Sequence, residues 1–259
     1  MDLLALPAFA DNYIWMLHDG AQAVVVDPGD AQPVIDALDR LHLQLAAILV
    51  THHHPDHVGG VDALRPLLPE PQGPVYGPAR EDIPRPFTPL REGDVVSVLG
   101  LRFQVIDVPG HTAGHIAYAQ IGEPAAPLLF CGDTLFSAGC GRLFEGTPAQ
   151  MLASLEKLDA LPAGTRVCCT HEYTLSNLKF AAAVEPANGQ VRSHAQHCES
   201  LRAAGRPTLP STLELERQIN PFLRSREPAV VAAAQAQGAA SAAPVDVLAA
   251  VREWKNRFR

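Results

Sequence analysis

The 259-residue chain predicts an α+β fold in two parts, with helices layered on sheet over residues 1–172 and helices alone over residues 173–259. Three observations carry this expectation. Apolar runs of strand length recur through the first part, with stretches of helical spacing between some of them. After Tyr173 the alternating patterns vanish while Ala and Arg become frequent. The charge turns over at the same place: residues 1–172 hold 21 Asp and Glu against 9 Lys and Arg, and residues 173–259 hold 7 against 11.

Strands are expected at Asn12 to Leu17, Ala23 to Val26, Leu45 to Val50, Val95 to Val98, Leu101 to Val108, Ile116 to Gln120, Leu128 to Cys131 and Arg166 to Cys169. Gln32 to Leu41 carries apolar residues at helical spacing. Thr147-Pro148-Ala149-Gln150 reads as a helix start, with Thr as N-cap, Pro in the first turn and Gln reaching back. That helix continues through Met151, Leu152, Leu155 and Leu158. In the second part helices are expected at Thr174 to Val184, Asn188 to Ala204, Ser211 to Gln218, Pro228 to Gln237 and Val245 to Phe258, two of them stopped by Gly205 and Gly238.

Composition bounds the function. Apolar content of 47% and charged content of 19% are those of a soluble globular protein. No apolar run approaches the roughly 20 residues of a membrane span, so no membrane partner is expected. Met1-Asp2-Leu3-Leu4 has no basic region ahead of its apolar residues and meets Asp11 and Asn12 early, so no secretory signal is expected. The net charge is −8, and the basic excess after residue 172 is too small to suggest nucleic acid, though it suits an anionic organic ligand. Five cysteines, an odd number without a Cys-x-x-Cys pair, read as buried thiols in a reducing compartment, hence the cytoplasm. Nothing in the sequence demands more than a monomer.

The chemistry concentrates in Thr51-His52-His53-His54-Pro55-Asp56-His57, directly after an apolar strand. Residues two apart on extended backbone point the same way. His52 and His54 can therefore face one metal ion, with Asp56 and His57 turned toward a second. His53 alternates away and reads as structural or solvent-facing. Further strand ends deliver His111 in Pro109-Gly110-His111-Thr112, Asp133 in Cys131-Gly132-Asp133-Thr134, and His171 in Cys169-Thr170-His171-Glu172. Functional side chains gather where strands run out into loops. His115, by contrast, reads as a supporting residue.

The His-x-His-x-Asp-His signature with the later His, Asp and His resembles the metallo-β-lactamase superfamily. Within it the chain is similar to the hydroxyacylglutathione hydrolases (glyoxalase II). That likeness rests on Gly139-Cys140-Gly141-Arg142-Leu143-Phe144-Glu145-Gly146-Thr147, on His171-Glu172-Tyr173-Thr174, on Asn220-Pro221-Phe222-Leu223-Arg224, and on the terminal Arg252-Glu253-Trp254-Lys255-Asn256-Arg257-Phe258. The resemblance implies an αβ/βα four-layer sandwich over residues 1–172, with the metals at one edge between the sheets. It also implies a helical, glutathione-binding domain over residues 173–259.

Carried over residue by residue, the family pattern puts His52, His54 and His111 on one metal, Asp56, His57 and His171 on the other, and Asp133 between them. Asp56 and Asp133 would also serve the chemistry. Two divalent transition-metal ions per chain are implied, zinc first, with iron or manganese as alternatives. The implied reaction cleaves S-(2-hydroxyacyl)glutathione, S-D-lactoylglutathione in particular, to glutathione and D-lactate, the second step of methylglyoxal detoxification. Arg142, Phe144, Tyr173, Arg252 and Lys255 match positions that bind the glutathione thioester. Arg252 and Lys255 lie three apart and share a helix face. The sequence departs from other members at Phe144, where some carry Tyr, at Arg142, where some carry Lys, and at Thr170, where others carry Gly. The competing readings are a glutathione persulfide dioxygenase, another hydrolase of the superfamily such as a lactonase or nuclease, and a non-enzymatic metal binder.

Overall fold

The computed structural model describes residues 1–69, 73–122 and 125–258. It divides into two compact units. The first comprises Met1–Asp107, Ala113–Gly132 and Cys168–His171, and the second Val108–Thr112, Asp133–Val167 and Glu172–Arg259.

The first unit holds two sheets. One runs β1 (Asp2–Ala8), β2 (Asn12–His18), β3 (Gln22–Val26), β4 (Gln44–Leu49), β5 (Val75–Pro78) and β6 (Thr88–Leu90), in that spatial order. β1 to β3 pair antiparallel, and β3 to β6 pair parallel. A parallel pair needs a crossover, and helix α1 (Gln32–Leu41) supplies it between β3 and β4. Pro33 opens α1, and His42 closes it with left-handed backbone. Its buried residues Val34, Ala37 and Leu38 share one hydrophobic core with Ile14 and Met16 of β2 and Val25 of β3.

The other sheet takes β7 (Val95–Val98), β8 (Leu101–Asp107), β9 (Ile116–Ile121) and β10 (Leu128–Gly132), then the last two residues of β13 (Arg166–Cys169). Trp15 points to the face of its sheet opposite Ile14 and Met16, and its indole N–H donates to the Cys169 carbonyl at 3.0 Å. The Tyr118 hydroxyl of β9 donates to the Val50 carbonyl at 2.9 Å. Both faces of the first sheet are thus covered, which is why β2 reads as an unbroken apolar run rather than an alternating one. Each fully buried Val, Leu or Ile contributes about 1.5–3 kcal/mol. Beyond β4 the chain makes two short helices, α2 (Pro55–Val58) and α3 (Val61–Leu64), and a 3₁₀ turn at Arg65–Leu67.

In the second unit β11 (Leu135–Phe136) and β12 (Gly139–Cys140) form a hairpin. Helix α4 (Pro148–Asp159) follows with the expected reciprocal cap: Gln150 N donates to Thr147 Oγ1 at 3.3 Å, and Thr147 N to Gln150 Oε1 at 2.9 Å. Arg166 and Val167 of β13 pair with β14 (Ser211–Thr212). The remaining elements are α5 (Thr174–Val184), α6 (Gly189–Ala203), α7 (Leu213–Ile219), α8 (Pro228–Ala236) and α9 (Pro244–Arg257). Their core gathers Ala138, Leu178, Ala181, Val191, Cys198 and Ile219.

The strands and helices expected from sequence form within a residue or two of their expected bounds, with one change. The helix expected from Ser211 begins at Leu213, because Ser211 and Thr212 first pair as β14 and the Thr212 hydroxyl then caps α7 by accepting from Leu215 N. All five cysteines are buried thiols. Among the described residues no helix is long and apolar enough to cross a membrane.

Candidate functional site

In the first unit the histidine motif leaves β4 over a buried carboxylate. Asp27 follows β3 with left-handed backbone (φ 54°), a conformation Asp tolerates better than most residues. Its Oδ1 accepts from Thr51 N at 2.7 Å and its Oδ2 from Thr51 Oγ1 at 2.8 Å. Behind it Gly29 lies so near Asp56 that an added Cβ would stand 1.9 Å from the Asp56 carbonyl oxygen. Glycine there lets the two loops touch.

This framework brings five of the sequence-predicted ligands together. His52 Nε2 and His54 Nδ1 are 3.0 Å apart, and the rings of His52 and His57 lie 3.9 Å apart between centroids. Asp56 Oδ2 is 3.7 Å from His57 Nε2 and 3.5 Å from His171 Nε2. Asp56, His57 and His171 each offer a ligand atom, and these lie within 4.8 Å of one another. Asn12 Nδ2 donates to Asp56 Oδ2 at 3.0 Å. His115 is buried and stacks on His52 at 4.5 Å. His53 turns away to Glu81 Oε2 at 2.8 Å.

The second unit carries the other two ligands in a cleft of about 280 Å³. His111 Nε2 lies 3.4 Å from Asp133 Oδ2. A Cβ on Gly141 would stand 1.9 Å from the Asp133 carbonyl oxygen, so only glycine admits the chain there. Arg142, Phe144, Tyr173, Arg252 and Lys255 line the same cleft. Arg252 is 6% exposed, its Nη1 donates to the Cys140 carbonyl at 2.7 Å, and its guanidinium lies 5.2 Å from the Phe222 ring centroid. Lys255 Nζ donates to the Ser176 carbonyl at 3.1 Å and to Ser176 Oγ at 3.3 Å. Burial, then the positive charges of Arg252, Arg142 and Lys179, push the Lys255 amine down to about 8. Phe144, 63% exposed, presents its ring to His111 at 5.3 Å, and Tyr173 meets Phe136 at 5.4 Å.

The donor chemistry suits transition metals. A ligating histidine normally has its other ring nitrogen held by an oxygen. His52 Nδ1 lies 3.1 Å from Thr51 Oγ1, His57 Nδ1 3.1 Å from Asp27 Oδ2, and His171 Nδ1 2.8 Å from Asp11 Oδ1. In the second unit His111 Nδ1 lies 2.9 Å from the Arg142 carbonyl. In each of these rings Nε2 is then the nitrogen that could bind an ion. Asp11, Asn12 and Asp27 were not singled out from sequence. Asp27-Pro28-Gly29-Asp30 does show the strand-end signal, an acid after an apolar run, and Asp11-Asn12 shows it at a strand start.

Facing sheets with a His/Asp cluster at their strand ends define a metal-binding enzyme of the metallo-β-lactamase class, and the model of the metallo-beta-lactamase superfamily matches residues 9–171. Residues 172–258 match the model described as hydroxyacylglutathione hydrolase C-terminus. The hydroxyacylglutathione hydrolase of Albidiferax ferrireducens is 62% identical over 258 residues, covering 100% of both chains. The chain belongs to the hydroxyacylglutathione hydrolase family. Among solved structures, ETHE1 from Myxococcus xanthus is 28% identical with a TM-score of 0.64, over 88% of this chain and 86% of that one. TTHA1623, solved in a di-iron-bound form, is 29% identical with a TM-score of 0.57, over 86% of this chain and 100% of that one.

Proposed function

We propose that the chain hydrolyses S-(2-hydroxyacyl)glutathione, S-D-lactoylglutathione in particular, to glutathione and a 2-hydroxy acid. The observation that carries this reading is the shared lining of the second unit's cleft: His111 and Asp133, which match metal-ligand positions of the family, stand among three cations and four aromatic side chains. By position in the family pattern, His52, His54 and His111 would hold one divalent ion, Asp56, His57 and His171 would hold a second, and Asp133 would serve both. Zinc is the first choice, and iron or manganese fit the same donors. Bound there, the ions would lower the pKa of water toward about 7 and polarise the thioester carbonyl.

The chain's own residues do the rest. Asp11 holds His171 in the tautomer that directs Nε2 inward, and the Asp27 carboxylate, 3.1 Å from His57 Nδ1, favours a proton on that nitrogen. Arg252 and Lys255 attract the carboxylates of glutathione, which are anionic at neutral pH. Phe144 and Tyr173 supply apolar walls for the thioester arm. A thiolate leaves without strong acid assistance, because a cysteine thiol has a pKa near about 8.5. No serine nucleophile is needed. The reading takes residues 173–259 as the substrate-binding domain and the enzyme as a cytoplasmic monomer, and the five reduced cysteines support that compartment.

The test is loss of thioester absorbance from S-D-lactoylglutathione with metal-replete protein, beside an Arg252→Ala/Lys255→Ala double variant. The parent should turn over. The double variant should raise KM by about 100-fold or more, the loss of two charge-assisted contacts, with a smaller change in kcat. An inactive parent with two metals verified per chain would sink the reading.

A further inference from the structure

We infer that Glu216 and Asn220 are positioning residues that set the substrate-binding cleft from behind, acting through the β11–β12 hairpin. The inference rests on the proposed thioesterase reading. Both side chains are fully buried on or just after α7. Glu216 Oε2 accepts from Ala138 N at 2.7 Å. Asn220 Nδ2 donates to the carbonyls of Phe136 at 3.0 Å and Gly139 at 2.9 Å, and to Glu216 Oε2 at 3.1 Å. Its Oδ1 accepts from Phe222 N at 3.0 Å. From α5, Asn177 Nδ2 donates to the Ser137 carbonyl at 3.0 Å. Three buried side chains thus hold the backbone of one four-residue turn.

A turn gripped in this way is one that does not hold itself. Its two strands are two residues each, too short to be stable alone. Ala138 takes left-handed backbone (φ 53°), a conformation that is strained for a residue other than glycine. Burial pushes the Glu216 carboxyl up, opposed by the polar groups around it, among them the hydrogen bonds from Ala138 N and Asn220 Nδ2. A buried acid beside an unfavourable turn calls for a reason.

The reason is in the residues that follow the turn. The Cys140 carbonyl accepts from Arg252 Nη1 at 2.7 Å. Two residues on, the Arg142 carbonyl lies 2.9 Å from His111 Nδ1. One short stretch of main chain therefore orients both the buried cation of the cleft and the metal-ligand histidine. A main-chain carbonyl can be aimed only by fixing the backbone that carries it, and Glu216 and Asn220 fix that backbone. Neither touches the cleft: both are absent from its lining.

The experiment compares Asn220→Ala and Glu216→Gln with the parent. It measures kinetics on S-D-lactoylglutathione and calorimetric binding of S-methylglutathione, a thioether that cannot be hydrolysed. The proposal expects folded variants that bind S-methylglutathione about tenfold more weakly and show a matching rise in KM, the size of one misplaced charge-assisted contact. In an Arg252→Ala background either substitution should add less than about twofold, because the residue it acts through is gone. Unchanged binding by either folded variant would overturn the proposal, as would losses that simply add to that of Arg252→Ala. If Asn220→Ala does not fold, Glu216→Gln, which keeps size and an acceptor oxygen, decides alone. A parent that neither binds S-methylglutathione nor turns over substrate would instead count against the thioesterase reading itself.

Discussion

The two units hold their histidines by different means. In the first, side chains hold side chains: Asp27 supports Thr51 and His57, Asp11 supports His171, and Thr51 supports His52. In the second, main-chain carbonyls do the holding, Arg142 for His111 and Cys140 for Arg252. A side-chain support is a residue identity, removable by one substitution. A carbonyl support belongs to a backbone path and survives substitution of the residue that bears it. The first half should therefore be fragile to point changes among its polar residues, and the second to changes in the elements that shape its chain.

Metal removal separates the halves most strongly. Stripping the ions with a chelator should abolish thioester hydrolysis, since activation of water depends on them. Binding of S-methylglutathione should fall by no more than about threefold, because the cations of the cleft belong to the protein. Calorimetry on stripped protein checks this, and a complete loss of binding would mean that the ions also build the substrate cleft.

Next in size is a matched pair of substitutions. Asp27→Ala removes a buried carboxylate that serves both Thr51 and His57, and should weaken metal affinity about 10–100-fold. Arg142→Ala removes a cleft cation but leaves the carbonyl that faces His111 Nδ1, so it should raise KM and leave metal affinity unchanged. Metal content after dialysis against graded chelator distinguishes the two. Equal metal loss in both would break the distinction between side-chain and main-chain support.

The same distinction governs what could be read from sequence. The proposed ligand residues announce themselves, because imidazoles and carboxylates recur at successive strand ends. The long strands and most helices were legible from apolar runs and caps. β5 and β6 were not: Pro74, Pro78 and Pro89 interrupt any alternation, and β6 lies at the sheet edge, where proline is tolerated. β1 was missed because Pro7 and a partly exposed face blur its period. Asp27 carries the same strand-end signal as Asp133, but the family pattern that marks Asp133 assigns Asp27 no role. The carbonyls of Cys140 and Arg142 have no sequence signal at all, since every residue has one. Glu216 looks like an ordinary polar residue on a C-terminal helix, and Asn220 opens a family motif that gives it no role; only the structure shows both buried against a hairpin.

Lys255 offers the smallest effect and the sharpest view of the second half. Its amine is held near 8 by burial and by three neighbouring cations, so it loses its charge within the working pH range. Only the protonated amine attracts a carboxylate. KM should therefore be flat at neutral pH and rise as pH climbs through about 8, approaching a ceiling of about tenfold when one charge-assisted contact is lost. A bound carboxylate favours the ammonium, so the bound complex should titrate higher than the free enzyme, and kcat should begin to respond only at more alkaline pH than kcat/KM. Lys255→Arg keeps the charge at all these pH values and should flatten the KM profile while leaving the kcat profile in place. Should the parent's KM stay flat to pH 9.5, or the arginine variant rise as steeply as the parent, the field of the cleft cations would not be what draws the substrate. Its anchoring would then have to come from the aromatic walls of Phe144 and Tyr173.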